Sequence, residues 1–561
     1  MKKNRINRKN SGGERLISIL RKTYAKNIVF ITFLSVFASA FSLAFAYLTK
    51  YIVNSALNSE SKLTVIFISA TVCCLLLRII SRCFYNFYSE KLNAKISLDL
   101  RQKAFSALIK GDISGVEKFH SGEIMNRLTS DAAEIAADTT AIAPAAAGLI
   151  IQLCGTLALL FTIDYLFAVI FLAGSLLTAA TVGLYRSKIK NYRKRTLDNE
   201  GRSRSYIQDN LSAVLTVKTY NAEEKTAEKS QFYSNELEKA VISRAKLSST
   251  MNALYSFIGN AGLIFAIIWF GAGLMRGAAD YGAATAVILL LLNVSQPINA
   301  ISGVISAFYT RSVSAERLFE LQNGEQNNTK KVELNDFNKI CFDNVSFSYS
   351  TQNVLNGASF CIKKGDKIAF MGVSGAGKTT VFKLLSGVYK PSGGNVVIYS
   401  YENASEKTFA PDKISGLFAF VPQGNFLMSG TVRENLTFFA DTAPSDEEIK
   451  SALEISCANF VFDMQGGLER ELKERGGGLS EGQIQRLAIA RALLTNRKII
   501  LFDEATSALD EATEKRLMQN LCALKNKTCI FVSHRKTALE QFSEVYEITS
   551  NGQIERKEIN S

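Results

Sequence analysis

A glycine-rich segment carries the clearest chemistry in the sequence. Gly372-Val-Ser-Gly-Ala-Gly377-Lys378-Thr379 follows the apolar run KIAFM and precedes helix-forming residues. Glycines let backbone N–H groups close around phosphate oxygens, and the helix N-terminus adds a favourable dipole. Lys378 would reach the terminal phosphates and Thr379 would ligate magnesium. The predicted phosphate-binding residues are Gly372, Ser374, Gly375, Ala376, Gly377, Lys378, Thr379 and Thr380.

Two adjacent carboxylates end another apolar run, Ile499-Ile-Leu-Phe-Asp503-Glu504. Paired acids at a strand end are often only solvated caps. Downstream of a phosphate loop, however, Asp503 is expected to bind magnesium through water, and Glu504 to orient the attacking water as general base.

His534 ends the run Ile530-Phe-Val-Ser-His534. A lone histidine is usually structural, but here His534 is expected to hydrogen-bond the γ-phosphate or the water.

Further motifs occur in a recognisable order around these residues. They are Tyr349, Gln423 in Phe420-Val-Pro-Gln423, Leu479-Ser480-Glu481-Gly482-Gln483, and Ser507-Ala-Leu-Asp510. With them the chain resembles the ATP-binding cassette (ABC) family, specifically exporter-type half-transporters with the membrane domain first. The resemblance implies that Tyr349 stacks on adenine, that Gln423 is a catalytic residue and magnesium ligand, and that His534 is the switch histidine. It also implies nucleotide contacts from Ser480, Gly482, Gln483 and Asp510.

The sequence departs from the family pattern at two places. Glu481 stands where the signature usually has glycine, although Ser480 and Gly482 are intact. The segment Glu471-Leu-Lys-Glu474-Arg475-Gly476 lacks the glycine that commonly precedes the position of Glu474. An altered signature on a chain that retains Glu504 is a pattern of heterodimeric exporters, and a tolerated change in a homodimer explains it equally well.

Composition and charge indicate a membrane part joined to a soluble part. Of 561 residues 47% are hydrophobic and 21% charged, with a net charge of +14. Residues 1–27 contain nine Lys or Arg and one acid, Glu14, directly before an apolar run. Such a segment is attracted to anionic lipid headgroups. Basic and aromatic residues are not interleaved, so no nucleic-acid partner is expected.

Six apolar segments are long enough to cross a bilayer core of about 30 Å. The first, Ile28–Leu48, has 21 residues without a charge. The predicted spans are Ile28–Leu48, Leu63–Ile80, Ala141–Thr162, Tyr165–Tyr185, Leu254–Met275 and Tyr281–Tyr309. Only Ile163–Asp164 separates the third span from the fourth, so these two spans must form an antiparallel hairpin.

The loops between spans predict the orientation. Residues 49–62, 163–164 and 276–280 hold three cations, Lys50, Lys62 and Arg276, whereas the segments on the other side are rich in Lys and Arg. The basic side is cytoplasmic by the positive-inside rule. We therefore expect both termini and the ATPase domain to lie in the cytoplasm. A multi-pass protein of the bacterial plasma membrane, in contact with membrane lipid, is also expected.

The predicted fold is multi-domain. Tyr88–Ile109 and Arg204–Met251 have helical spacing and no proline, so they are expected to extend spans 2–3 and 4–5 into the cytoplasm as long helices, with each pair bridged at its tip. An unrelated soluble insertion is the alternative. From Lys339 onward, short β-rich runs alternate with helices, which is typical of a doubly wound α/β sheet. The predicted domains are a basic segment at 1–27, an all-α six-helix transmembrane domain at 28–320, a linker at 321–337 and an α/β P-loop ATPase domain of ABC type at 338–561.

Two weaker similarities lie in the membrane half. The segments His120–Asp131 and Ala315-Glu316-Arg317 resemble parts of exporter-type membrane domains, the first at a short coupling helix. Polar residues within or beside the predicted spans are candidates either for a cavity lining or for helix–helix hydrogen bonds. They are Arg78, Gln152, Asn260, Asn293, Gln296 and Asn299.

The nine cysteines form no CxxC pair and have no metal-like spacing, so reduced and mostly buried thiols are expected.

The resemblance implies an ATP-hydrolysing transporter subunit that needs ATP and Mg²⁺. It implies alternating access by a dimer with a second half-transporter, and export of an amphipathic small molecule, lipid or peptide. An importer with an exporter-like fold and an ATP-gated sensor that does not pump are the alternatives. Residue patterns do not identify the transported substrate.

Overall fold

The structure is a computed structural model. It describes residues 12–111, 113, 117, 119, 121–277, 279–322, 331–349, 352–373, 375–402, 405–424, 427–473, 476–533 and 541–557. For residues 176–184, 186, 189–190, 255, 294–306, 309–310, 322 and 352 it describes the backbone alone. The chain divides into two compact units, Met1–Asn327 and Asn328–Ser561. The domain limits derived from the sequence stay predictions.

The described part of the first unit is helical. Its helices are α1 (Gly12–Thr23), α2 (Ala25–Leu57), α3 (Ser61–Lys110), α4 (Ser121–Asn126), a π-helical turn (Arg127–Asp131), α5 (Ala132–Ile163), α6 (Tyr165–Ser212), α7 (Val214–Thr219), α8 (Glu223–Met275) and α9 (Tyr281–Gln322).

Six of these helices have between 32 and 53 residues and contain the six predicted spans. By length and composition, four described segments can cross a membrane: Ala25–Leu57, Ser61–Lys110, Ser121–Ile163 and Glu223–Met275. The described apolar parts of α6 and α9 are shorter, Tyr165–Ser175 and Tyr281–Asn293. At 1.5 Å per residue α3 is about 75 Å long, far more than a bilayer core requires. The predicted all-α six-helix domain with long extensions is confirmed.

The connections follow from local hydrogen bonding. Asp164 alone separates α5 from α6, as the hairpin prediction requires, and its carboxylate accepts hydrogen bonds from Phe167 N (3.0 Å) and Trp269 Nε1 (2.8 Å). The long helices predicted over Arg204–Met251 are joined at a tip, as expected. α6 ends at Ser212, α7 is a separate short helix, and α8 begins at Glu223 after Asn221, whose φ is +49°. This left-handed residue ends the preceding turn.

The N-terminal helix packs against the last long helix. Leu16, Ile17 and Leu20 of α1 are buried, and Gly13 approaches α9 so closely that a Cβ there would lie 2.8 Å from Glu316 N. The apolar face of this part of the basic segment therefore joins the helical core, whereas Arg15, Arg21 and Lys22 are exposed. Its apolar residues at i, i+1 and i+4 form one buried face of a helix.

The second unit contains a parallel and an antiparallel sheet. Its strands are β1 (Val332–Glu333), β2 (Lys339–Tyr349), β3 (Gln352–Lys363), β4 (Lys367–Gly372), β5 (Gly393–Glu402), β6 (Ser405–Phe409), β7 (Ile414–Ser415), β8 (Phe418–Val421), β9 (Gly430–Thr431), β10 (Glu471–Leu472), β11 (Ile499–Asp503), β12 (Thr528–Val532), β13 (Glu544–Ile548) and β14 (Ile554–Lys557). Its helices are α10 (Lys378–Leu385), α11 (Val432–Thr437), α12 (Asp446–Ile455), α13 (Phe460–Asp463), α14 (Glu481–Leu494) and α15 (Glu511–Cys522).

The central sheet has the strand order β14-β13-β4-β12-β11-β8, parallel except for β14. Its inner strands β11 and β12 are buried at every position and mostly apolar because both faces of the sheet are covered there. In β11, Ile499 and Leu501 enter the core shared with the antiparallel sheet, whereas Ile500 and Phe502 enter the core shared with α14 and α15. The antiparallel sheet has the order β3-β2-β5-β6. The predicted α/β class is confirmed.

The cysteines differ from the prediction. Cys341 and Cys361 form a disulfide. Of the seven free cysteines Cys529 is buried, whereas Cys73, Cys83 and Cys154 are exposed on the surfaces of their helices. The expectation of reduced, mostly buried thiols was wrong because Cys341 and Cys361 face each other across two strands, a pairing that linear spacing does not reveal.

Candidate nucleotide-binding site

The glycine-rich segment forms a loop between β4 and α10. Gly372, Gly375 and Gly377 have φ values of +146°, +82° and +101°. At Gly377, the N-cap of α10, a Cβ would also lie 2.6 Å from Val354 Cγ1. Glycine is therefore required there by both backbone conformation and space. Ala376 N donates to Val373 O at 3.1 Å, and Ser374 lies outside the described residues.

Lys378 begins α10 and turns back over the loop. Its Nζ donates to Gly372 O (2.9 Å) and Val373 O (3.0 Å), and the residue is only 6% exposed. Burial lowers the pKa of Lys378, while the nearby carboxylates of Glu504 and Asp503 act in the opposite direction. An ammonium group held over a loop of backbone amides is positioned to meet phosphate oxygens.

Asp503 ends β11 beside this loop and is 3% exposed. Burial raises the pKa of Asp503, and the Thr379 hydroxyl, which is hydrogen-bonded to the carboxylate, opposes that rise. A buried carboxylate next to a hydroxyl provides the hard oxygen ligands that Mg²⁺ prefers, and a cation there would offset the cost of burying the charge. Asp503 and Thr379 therefore suit a magnesium ion.

Glu504 and Gln423 meet at the carboxyl ends of adjacent parallel strands, β11 and β8. Gln423 Nε2 donates to Glu504 Oε2 at 2.8 Å. Glu504 has a φ of +49°, in the left-handed region that is unusual for a residue with a side chain. Such conformations concentrate at functional sites. His534, predicted to join this group, lies outside the described residues.

Tyr349 ends β2 and lies near the first turn of α10. Its hydroxyl is 3.4 Å from Thr380 Oγ1, and its ring packs edge-on against Phe347 and Tyr389. The residue is 38% exposed. A partly exposed aromatic ring beside the phosphate loop has the character needed to stack on a base.

The signature residues begin α14. Ser480 caps the helix reciprocally with Gln483: Gln483 N donates to Ser480 Oγ (3.3 Å) and Ser480 N donates to Gln483 Oε1 (2.9 Å). A Cβ at Gly482 would lie 2.9 Å from Ala508 O, so glycine allows close contact with the Ser507–Asp510 loop. Asp510 caps α15 by accepting from Thr513 N at 2.9 Å, a hydrogen bond that lowers the pKa of Asp510.

Gln485 connects the signature helix to the Ser507–Asp510 loop and was not predicted. Its Nε2 donates to Ser507 Oγ (3.1 Å), its Oε1 accepts from Ala508 N (3.2 Å), and it is 1% exposed. A glutamine on the helix face that also carries the buried residues Ala488 and Ala492 is the sequence signal that could have identified it.

In the first unit, the two segments similar to exporter membrane domains contact each other. Arg127 Nη1 donates to Arg317 O (2.6 Å) and Glu320 Oε2 (2.8 Å), and its other terminal nitrogen pairs with Glu123 (2.8 Å). Arg317 Nε lies 3.4 Å from Asp131 Oδ2. The network joins the π-helical turn to α9. Among the polar candidates, Asn293 accepts a hydrogen bond from Ser42 Oγ at 3.0 Å, which is a helix–helix contact.

A phosphate loop with Lys378, Asp503, Glu504 and Gln423 around it defines the second unit as a P-loop ATPase, and the same chain carries a helical membrane unit. A family model for the ABC transporter transmembrane region matches residues 28–298, and the ABC transporter model matches residues 355–507. The chain belongs to the ABC transporter family, with its membrane region N-terminal to its ATP-binding domain as in exporter-type half-transporters.

Similar proteins agree with this arrangement. ABC transporter B family member 1 of Dictyostelium discoideum is 28% identical over 514 residues, which are 90% of this chain and 55% of that protein. The chain thus spans about half the length of that relative. The ATP-dependent lipid A-core flippase of Photobacterium profundum is 26% identical over 83% of this chain and 80% of the flippase. A solved ATP-bound bacterial Atm1-family ABC exporter has the same fold, with a TM-score of 0.82, 22% identity and coverage of 95% and 94% of the two chains.

Proposed function

We propose that this chain is one half of a dimeric exporter driven by ATP hydrolysis. The observation that carries the proposal is the cluster of Gln423, Glu504, Asp503 and Lys378 around one phosphate loop, on a chain with helices long enough to cross a membrane. Such a cluster holds the reacting groups of phosphoryl transfer to water.

Each residue has a part in the reaction. Glu504 accepts a proton from the attacking water, and Gln423 fixes the orientation of its carboxylate. Lys378 transfers its hydrogen bonds from loop carbonyls to phosphate oxygens, while Tyr349 stacks on adenine. Magnesium, when bound, neutralises charge on the phosphates. Asp503 and Thr379 would hold this ion, together with Gln423. His534 is proposed to hydrogen-bond the γ-phosphate or the water.

A second half-transporter completes each ATP site. Ser480, Gly482, Gln483 and Asp510 of one chain would face the phosphate loop of the other, as the family resemblance implies. ATP then drives the cycle because it binds the closed dimer more tightly than the open one, and hydrolysis removes that difference.

Glu481 makes the identity of the second half testable. It is the first residue of α14 and is exposed. Facing a partner's triphosphate, its carboxylate would repel the γ-phosphate. Glu481→Gly should raise hydrolysis by the chain alone if two copies form the dimer. If a different chain completes the dimer, the purified chain alone should be nearly inactive with either residue.

The transported molecule is proposed to be an amphipathic small molecule, lipid or peptide. A relative named as a lipid A-core flippase supports the lipid class. The basic loops favour a cytoplasmic location of both termini and the ATPase unit. The bacterial lipid A-core flippase among the similar proteins supports a bacterial plasma membrane.

The test uses the full chain in liposomes, alone and with a co-encoded half-transporter, with ATP supplied on the outside. In the vesicles with outward-facing ATPase units, amphipathic probes should accumulate inside only with ATP and never with Glu504→Gln. Export of preloaded probe from the same vesicles would indicate an importer. Hydrolysis without any gradient, across probes of all three classes, would indicate a sensor and overturn the exporter proposal.

A further inference from the structure

The antiparallel sheet of the ATPase unit contains a cross-strand disulfide whose role lies outside ATP hydrolysis. Cys341 of β2 and Cys361 of β3 are directly opposite each other, with Cα atoms 4.2 Å apart, and are 20 residues apart in sequence. Directly opposed residues of antiparallel strands come this close at non-hydrogen-bonded pairs. Two thiols at these positions are therefore within bonding reach without movement of the backbone.

The disulfide lies on the open face of the sheet. The next pair along the strands, Phe342 and Phe360, stacks at 4.4 Å between ring centroids and is buried in the core. Because side chains alternate between faces, the cysteine pair points the other way. Cys361 is exposed and Cys341 is half-buried, so small reagents can reach both sulfur atoms.

Two lysines lie on one side of the pair, on the same face of the sheet. Lys339 and Lys363 are the opposed residues two positions away, and Lys339 Nζ lies 4.3 Å from the centre of the Tyr399 ring. Cationic neighbours favour the thiolate, which is the nucleophilic form of cysteine. The two cysteines are therefore close together, accessible from solvent and next to two lysines.

The other cysteines of this unit provide a contrast. Burial raises the pKa of Cys457 and Cys522, and it raises the pKa of Cys529 to about 12. These groups stay protonated at neutral pH and react poorly. Among the described cysteines of the ATPase unit, Cys341 and Cys361 are thus the pair suited to thiol chemistry.

We propose that Cys341 and Cys361 form a reversible thiol–disulfide modification site that responds to low-molecular-weight disulfides such as glutathione disulfide. The exposed Cys361 thiolate attacks one sulfur of the reagent, which forms a mixed disulfide and releases one thiolate. Cys341 thiolate then attacks the Cys361 sulfur, which closes the protein disulfide and releases the second thiolate. Two protein thiols are oxidised and one reagent disulfide is reduced to two thiols, which take up the two protons. Excess dithiol reverses both steps.

Closure of this bond restrains the strand pair that leads to the nucleotide. β2 ends at Tyr349, and β3 carries Val354, which packs against Gly377 of the phosphate loop. A cross-link reduces the number of open conformations available to the two strands. We expect the oxidised protein to unfold at a higher temperature, and the amides of residues 339–349 to exchange hydrogen more slowly. The inference does not depend on which molecule is transported.

The experiment exposes the full-length protein in detergent to defined ratios of glutathione to glutathione disulfide, followed by alkylation and peptide mass spectrometry. Cys341 and Cys361 should lose alkylation together as the ratio falls, and recover it with dithiothreitol in native buffer. Cys457, Cys522 and Cys529 should not change. A pair that stays alkylated at every ratio, or a bond that resists dithiothreitol until the protein unfolds, would overturn the proposal.

Variants separate the steps. Cys341→Ser should retain glutathione on Cys361 as a stable mixed disulfide, because the resolving thiol is gone. Cys522→Ser is the matched control and should respond as the unmodified chain does. Oxidation should raise the thermal midpoint by several degrees in the unmodified chain and in Cys522→Ser. It should not do so in the double variant that carries both Cys341→Ser and Cys361→Ser. An equal shift in the double variant would contradict the assignment to this pair.

Discussion

Gln423 Nε2 donates a hydrogen bond to Glu504 Oε2 over 2.8 Å. The two residues follow neighbouring parallel strands, β8 and β11, so the sheet delivers both side chains to the same edge. An amide fixed against the carboxylate would orient the lone pair that accepts a proton from water in the proposed reaction. The hydrogen bond thus connects Gln423, which lies outside the phosphate loop, to Glu504, the proposed general base.

Replacing Glu504 with glutamine should abolish steady-state hydrolysis. The variant keeps the shape of the side chain but cannot accept a proton, so the rate should fall by about 10²–10⁴-fold. ATP binding should persist, because Lys378 and the phosphate loop are unchanged. Phosphate release and equilibrium nucleotide binding measure the two effects, with Lys378→Ala as the control that loses binding. Near-normal turnover would refute the role of Glu504.

Gln485→Leu should uncouple the signature helix from the Ser507–Asp510 loop. The change removes the amide donor to Ser507 Oγ and the side-chain acceptor of Ala508 N. Because water can reach Ser507 and Ala508, each lost hydrogen bond should cost about 0.5–1.5 kcal/mol of unfolding free energy. Hydrolysis should fall more than ATP binding, because the phosphate loop is not altered. Gln519→Leu, at an exposed position on α15, is the matched control, and equal effects of the two variants would contradict the prediction.

Arg127→Met should destabilise the membrane unit. Arg127 is 5% exposed, pairs with Glu123 and Glu320, and lies 4.2 Å from the centre of the Phe119 ring. Because water can reach both carboxylates after the change, the free energy of unfolding should fall by about 1–3 kcal/mol. This is less than the loss expected for a fully buried ion pair. Thermal unfolding in detergent measures it. Lys239→Met removes an exposed ion pair and should leave the midpoint unchanged.

Asp131 predicts a pH dependence of stability. It precedes the predicted span Ala141–Thr162, and burial raises the pKa of Asp131 to about 6, from an ordinary value of 3.8, although Arg317 opposes the rise. The folded state thus holds the proton more tightly than the unfolded state. This contribution to the free energy of unfolding is fully present below pH 3.8 and is lost as the pH rises through about 6. The loss should reach about 3 kcal/mol at most.

Asp131→Asn should remove this part of the pH dependence, because the amide does not ionise. As the pH rises from about 4 to 7, the thermal midpoint of the unmodified chain should fall relative to that of Asp131→Asn. Asp209→Asn, at an exposed position on α6, should show a constant difference over the same interval. A constant difference for Asp131→Asn would show that burial does not control this carboxyl group.

The phosphate loop could be predicted because its chemistry is local. Glycines, Lys378 and Thr379 act within one turn of chain, and the apolar run before them identifies a buried strand. The membrane spans are equally local, because bilayer thickness sets their length. The inner strands of the parallel sheet were recognisable because burial on both faces makes most of their residues apolar.

The exact place of the break at Ser212–Glu223 and the burial of α1 could not be predicted in the same way. Helix-forming residues continue through the break, so only the left-handed Asn221 and the return of α8 alongside α6 locate the predicted tip between the fourth and fifth spans. The face of α1 is apolar enough for either a lipid surface or a protein core. Gly13 lies so close to Glu316 of α9 that this face of α1 packs in the protein core.

The sequence by itself determined the family, the order of membrane and ATPase regions, and the residues of the phosphate loop, because each depends on spacing within a short stretch. Tertiary structure alone decided which distant residues meet. Gln423 and Glu504 are 81 positions apart, Arg127 and Arg317 are 190 apart, and Cys341 and Cys361 are 20 apart. Such pairs are set by strand order, helix packing and register, which no local pattern of residue types contains.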